Sequence, residues 1–168
     1  MRDNDGHQFG RLPATERDRE VEGRPTREAV VDFWQERYGI PAATWGDYSF
    51  WERGSGKIWA FHGEVPSPAR IQGLGMSVLR TDHEHWKPTT NAAQRFGGLA
   101  TDCVIHLEEA EATAFLAGHD QEIDRWDGDW GYLVVTHDIG GEQEPIGTGL
   151  YLYGELRSQI PKGRQRDL

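Results

Sequence analysis

Apolar residues are sparse over the first 25 positions and fall into regular patterns after them. The opening stretch alternates charge, as in TERDREVEGR (15–24), and its Phe9 and Leu12 stand too far apart to seed a core. Residues 1–25 are therefore expected to form a disordered tail. From Thr26 the spacing changes: Val30, Phe33, Trp34 and Tyr38 recur at helical intervals, with Thr26 placed to N-cap the helix and Gly39 to close it. Pro41 blocks continuation. YSFWE (48–52) and KIWAF (57–61) flank Arg53-Gly-Ser-Gly56 and read as a hairpin of aromatic-rich strands. A short helix near 68–73 and a strand MSVLR (76–80) are expected to complete an α/β unit.

A polar stretch, HEHWKPTTNAAQRFG (83–97), reads as a loop followed by a short helix. CVIHL (103–107) has the composition of a buried strand, and EEAEATAFLAG (108–118) that of a helix ended by Gly118. GYLVVTHD (131–138) is a strand, IGGEQE (139–144) a turn, and PIGTGLYLYG (145–154) a strand in which Gly147 and Gly149 announce a bulge or sharp curvature. The pattern predicts an α+β fold: a tail over 1–25, a small α/β unit over 26–100, and a β-rich domain over 101–168 that closes as a small barrel.

Charge changes this picture. The chain of 168 residues carries 28 acidic and 18 basic side chains, a net charge of −10, and only Lys57, Lys87 and Lys162 are lysines. Such an acidic, lysine-poor balance suits a protein of a salt-rich cytoplasm, where molar salt screens carboxylate repulsion to about 3 Å. No apolar run approaches the ~20 residues that span a bilayer, and MRDNDGHQFGR lacks the apolar core of a secretory signal, so a cytoplasmic protein is expected. The single Cys103 excludes a disulfide framework within the chain, and its apolar setting reads as a buried, inert thiol.

Candidate chemistry is thin. GSGK (54–57) falls short of a phosphate-binding loop, because Trp51 stands where the distal glycine belongs and Ile58 follows Lys57. His83 and His85 supply two metal ligands at most, and Asp124, Asp127 and Asp129 lack the spacing and terminal Glu of a calcium loop. No glycine-rich turn follows a strand as dinucleotide binding requires. No catalytic residue, metal or cofactor is expected.

Position sorts the charges. Residues 1–154 hold 14 basic and 26 acidic side chains, net −12, whereas residues 155–168 are net +2 through Arg157, Lys162, Arg164 and Arg166. Lys87 and Arg95 lie in a second polar stretch beside Trp86 and Phe96. Cations next to flat rings suit single-stranded or looped RNA, where charges meet phosphates and rings stack on bases; a solvated basic tail is the other reading.

At these residues PIGTGLYLYGELRSQIPKGRQR (145–166) resembles the end of the PUA-like RNA-binding region of Nol/Nop/Fmu-type rRNA cytosine methyltransferases. That region carries a Leu-Gly-x-Gly strand, a hairpin, and a Lys-Asn/Ser-x-x-Pro-Lys-Gly-x-Arg run. Here these read Ile146-Gly147-Thr148-Gly149 and Arg157-Ser158-Gln159-Ile160-Pro161-Lys162-Gly163-Arg164. Upstream, Gly73–Arg80 and Trp86-Lys87-Pro88-Thr89 are similar to its earlier stretch. The methyltransferase domain itself has no counterpart. The resemblance implies a pre-PUA-like α/β unit followed by a PUA-like barrel, and a non-catalytic protein of ribosome biogenesis or RNA modification that binds rRNA or tRNA. The charge pattern and the resemblance together place Trp86, Lys87, Arg95, Gly149, Arg157, Ser158, Lys162, Gly163, Arg164 and Arg166 at the RNA. Two other functions compete: an RNA-binding or interaction subunit of a separate RNA-modifying enzyme or ribosomal particle, and a PUA-superfold RNA hydrolase using acids such as Asp127 and Asp129.

Overall fold

The computed structural model describes residues 8–166 as a mixed α+β chain, with two five-stranded sheets. It divides into two compact units that part between Lys87 and Pro88.

The first unit contains β1 (Phe9–Arg11), α1 (Arg27–Tyr38), β2 (Tyr48–Arg53), β3 (Lys57–His62) and β4 (Met76–Arg80), and its sheet ends on β5 (Lys87–Pro88), in the order β1-β2-β3-β4-β5. Local chemistry sets α1. The Thr26 side chain accepts a hydrogen bond from Ala29 N at 3.0 Å, and Gly39 adopts φ +70°, the left-handed turn that lets its N–H reach Gln35 O. Val30, Trp34 and Tyr38 line its buried face, and Trp34 packs on Trp45, which packs in turn on Phe50 of β2. The β2–β3 hairpin turns through Gly54 and Gly56, both at positive φ.

The expected tail is corrected where it is described. Phe9, Leu12 and Val21 are buried, and β1 pairs antiparallel with β2. A buried ion pair, Arg24 Nε to Glu52 Oε1 at 3.1 Å, ties residue 24 to β2. Gly10 makes room for it, since a Cβ there would lie 2.3 Å from an Arg24 nitrogen. Residues 1–7 of that stretch lie outside the described residues. Nor is there a helix at 68–73: Ala69 instead exchanges backbone hydrogen bonds with Phe9, at 2.7 and 2.9 Å. Pro66, Pro68 and Gly73 withhold the donors and the stiffness a helix needs there.

The second unit contains α2 (Thr90–Phe96), β6 (Val104–His106), α3 (Glu109–Leu116), β7 (Gln121–Glu122), β8 (Gly131–Ile139), β9 (Glu142–Leu152) and β10 (Glu155–Ser158). Its sheet runs β6-β8-β9-β10-β7, with β6 parallel to β8 and the other pairs antiparallel. Ile105, Leu107, Phe115, Leu133, Val135, Tyr151 and Leu156 form its core. The sheet is open, not the closed barrel the sequence predicts: its edges are the three-residue β6 and the two-residue β7, and neither pairs with the other. The boundary lies at 87/88 rather than 100/101 because α2 is bound to β9, with Gln94 Nε2 donating to Ile146 O at 3.2 Å and Thr148 Oγ1 to Thr89 O at 3.4 Å. The expected six-residue turn at 139–144 tightens to Gly140-Gly141, both at positive φ, as a two-residue hairpin demands. The register does shift in β8–β9, between Val135 and Thr136, opposite Gly147 and Pro145.

Candidate nucleic-acid interface

The basic C-terminal segment is a held turn. Beyond β10, Gln159 N donates to Thr148 O at 3.1 Å and Ile160 is buried in the core. Pro161 then opens a single 3-10 turn, Lys162–Arg164, closed by Arg164 N to Pro161 O at 2.8 Å. Gln165 Nε2 donates to Ile160 O, and its side chain lies over Gly118, where a Cβ would come within 2.3 Å of it. Finally Arg166 N donates to Leu116 O at 2.8 Å, at the end of α3. Backbone is fixed on both sides of the turn, and Lys162, Gly163, Arg164 and Arg166 remain exposed. Arg164 Nη1 donates to Asn91 Oδ1 at 2.8 Å, which brings α2 beside the turn.

The other expected site residues divide by environment. Arg157 is exposed, but its Nε donates to Glu155 Oε1 at 2.7 Å, so its charge is locally compensated. Ser158 Oγ donates to Phe115 O at 2.7 Å and accepts from Ile160 N at 3.3 Å, joining the end of β10 to α3. Gly149 is buried, and a Cβ on it would meet Leu156 Cδ1 at 2.6 Å; it lets side chains close over β9. Arg95 is exposed, its guanidinium 5.8 Å from the centroid of Phe96. Trp86 and Lys87 belong to the first unit. There the half-buried Trp86 ring lies 5.4 Å from Phe33, and burial pushes the Lys87 ammonium below its usual range, with the Arg80 charge adding to the shift.

Other side chains of chemical interest have ordinary structural partners. Asp127 and Asp129 sit on an exposed loop whose Asp129 carbonyl accepts from Trp126 Nε1 at 3.0 Å. His106 Nδ1 lies 3.0 Å from Thr136 Oγ1, and its Nε2 is 3.5 Å from Asp138. Among the described residues, no three His, Cys, Asp or Glu side chains are grouped to hold a metal ion. Cys103, partly buried rather than fully so, packs against the core of the second unit at φ +54°. In the first unit an open cavity of about 500 Å³ is lined by Arg11, Arg24 and Arg27 among others. Each of these arginines is engaged: Arg11 with Glu64 at 2.7 Å, Arg24 with Glu52, and Arg27 with the carbonyls of Trp45 and Tyr48.

Residues 1–75 match DUF7122, a family of unknown function. The likeness covers most of the first unit and stops short of the basic turn. No curated protein matches the chain. No helix among the described residues is long and apolar enough to cross a membrane.

Sequence reasoning missed two features here. Asn91 joins the basic turn through a contact 73 residues away in sequence, and nothing local marks it. The most exposed aromatic residues of the second unit are Trp130 and Tyr153, not members of the basic cluster. The Tyr153-Gly154 dipeptide between β9 and β10 was the available signal, since a two-residue hairpin turn leaves its first side chain in solvent.

Proposed function

We propose that the second unit is a PUA-like, non-catalytic RNA-binding module, acting on rRNA or tRNA in ribosome biogenesis or RNA modification in the cytoplasm. The observation that carries the reading is the basic turn. Lys162, Arg164 and Arg166 project from a backbone fixed by the Thr148, Pro161 and Leu116 carbonyls, so binding has only their side chains, and not the backbone, left to order. A Cβ added at Gly163 would meet no atom within 4 Å, so the backbone there is open to a phosphate. The Pro-Lys-Gly part of the resemblance points to Lys162 and Gly163, while the closing Arg of the pattern falls on Gln165. An acidic protein of net −10 gains from confining its RNA contacts to one such turn, because carboxylates elsewhere repel phosphates.

Each phosphate neutralised on a single strand contributes a slope of about −0.7 to log K against log salt, so three contacts give about −2. In molar salt that attraction is largely screened, and stacking at ~1–3 kcal/mol per base must supply the affinity. Trp86 is the ring expected from sequence to stack; it belongs to the first unit, so its contribution is tested separately from that of the basic turn. Binding of an rRNA or tRNA hairpin to the full chain, measured across a salt series, tests both parts. Lys162→Ala with Arg164→Ala should weaken binding most at low salt and flatten the slope by about 1.4. Trp86→Ala should weaken it at every salt concentration. Unchanged binding of the double variant at low salt would remove the RNA assignment.

A further inference from the structure

The β9–β10 hairpin turns on Tyr153 and Gly154. Tyr153 sits at φ +53°, a backbone conformation that large side chains avoid, and it is 81% exposed. Its ring meets that of Trp130, itself 51% exposed, with centroids 4.6 Å apart at 62°. Trp126, by contrast, turns inward toward Tyr151 and donates its indole N–H to the Asp129 carbonyl. One tryptophan of this loop thus braces the structure while the next is held outward against a second exposed ring.

The rim of the ring pair is predominantly acidic. The Asp124 carboxylate is beside Gly154, 3.5 Å from where its Cβ would be, and Asp129 directly precedes Trp130. Glu122 and Glu155 face each other across β7 and β10. No Lys or Arg occurs from Trp126 to Leu156. Of the flanking arginines, Arg125 is bound bidentately by Glu111 at 2.7 and 2.8 Å, and Arg157 donates to Glu155 at 2.7 Å, which leaves Glu122, Asp124 and Asp129 as the uncompensated acids of the rim. Phosphates are repelled by such a rim. A cation is attracted by it and also by the negative faces of Trp and Tyr rings.

We propose that the Trp130–Tyr153 platform is a docking site for an arginine-rich segment of a partner protein. Arginine fits better than lysine, because a planar guanidinium stacks on a ring while its edge donates to a carboxylate. Several carboxylates along the rim match a segment with several cations rather than a single one. The proposal is independent of the RNA reading, since it uses none of the residues of the basic turn.

The test uses the full chain and a fluorescent ten-residue peptide of alternating Arg and Gly, with binding read by anisotropy at ~0.15 M salt. A net negative protein attracts any polycation, so the decisive variants leave charge untouched. Trp130→Ala and Tyr153→Asn should each weaken binding by about tenfold. Asn is at home in the left-handed turn, so the second variant keeps the hairpin. Asp124→Asn with Asp129→Asn should also weaken binding, whereas Asp32→Asn with Asp47→Asn, on exposed positions of the first unit, should not. A Lys-Gly peptide of equal charge should bind several-fold more weakly. Equal affinity of the wild type and both aromatic variants would overturn the proposal and leave only general attraction between opposite charges. Loss of oligouridine binding in the aromatic variants would reassign the platform to RNA. Loss of a concentration-dependent self-association in them would reassign it to a second copy of this chain.

Discussion

Two arginine-bearing stretches, ERDREVEGR (16–24) and RSQIPKGRQR (157–166), look alike as sequence and are opposite as structure. In the first, Arg24 is turned inward against Glu52, with each side chain less than one-tenth exposed. In the second, Ile160 is the residue turned inward, and Lys162, Arg164 and Arg166 are left in solvent. The difference lies in what the rest of the chain offers each stretch. Gly10 vacates space and Glu52 supplies a carboxylate for Arg24, while the Glu52 Oε2 atom is itself held by Gly56 N at 3.1 Å. The second stretch is fixed by carbonyls, from Thr148 and Leu116, which hold backbone and leave Lys162, Arg164 and Arg166 exposed, with Arg164 still donating to Asn91. Arg24, anchored through its guanidinium, is thus buried, whereas Lys162, Arg164 and Arg166, carried on a turn anchored through its backbone, stay exposed.

The sharpest way to break this contrast is to remove the carboxylate. Glu52→Gln leaves a buried guanidinium without its counter-charge, a change that typically costs about 3–5 kcal/mol. Amide exchange at Phe9–Arg11 and in β2 should accelerate by about two orders of magnitude or more. The basic turn, fixed by other bonds, should exchange as in wild type. If β1 keeps its protection, burial of Phe9 and Leu12 alone holds the first stretch and the ion pair is incidental.

How far sequence reached follows the same division between local and distant causes. The α1 helix was legible with both caps, because Thr26, Ala29, Gln35 and Gly39 act within a few residues of one another. The β2–β3 hairpin was legible for the same reason. The strand at Phe9 was not, since its partners are Arg53, Trp51 and Ala69, and isolated apolar residues reveal nothing about a sheet edge waiting elsewhere. Gly147 and Gly149 announced irregularity in β9, and the register shift lies beside them. What no local pattern could show is that Gly149 makes room for Leu156, whose Cδ1 would lie 2.6 Å from a Cβ there. The basic cluster was visible by composition, but its attachment to α3 and Asn91 depends on contacts more than forty residues apart.

Arg125 is the intermediate case, an arginine with a carboxylate partner but still exposed to water. Its guanidinium holds the Glu111 carboxyl below the usual carboxylate range, and also donates to His106 O at 2.7 Å. Because the folded pKa of Glu111 is depressed, the pair contributes stability above the unfolded value of about 4.3, and loses it as pH falls through the folded value. Partial exposure limits the contribution to about 0.5–1 kcal/mol. Arg125→Gln should therefore lower the melting temperature by a few degrees at pH 7. The gap between variant and wild type should narrow as pH drops toward 3, and a gap independent of pH would assign the effect to the His106 carbonyl contact instead.

The smallest expected effect is the most informative about function. Replacing Lys162 and Arg164 with Ala removes two charges whose only described polar contact is the exposed bond from Arg164 to Asn91, and the turn itself is made of backbone. Stability should stay within ±0.5 kcal/mol of wild type, the ordinary range for surface positions. Equilibrium unfolding in urea, followed by circular dichroism, measures this directly. The comparison with Arg24 then becomes quantitative: one inward arginine pair matters to the fold by several kcal/mol, two outward cations by almost nothing. A large destabilisation by the Ala pair would mean that the cations hold the turn in place, and any loss of RNA binding in that variant would have to be attributed to a displaced turn. With stability unchanged, the same loss measures the cations' own contact with phosphate.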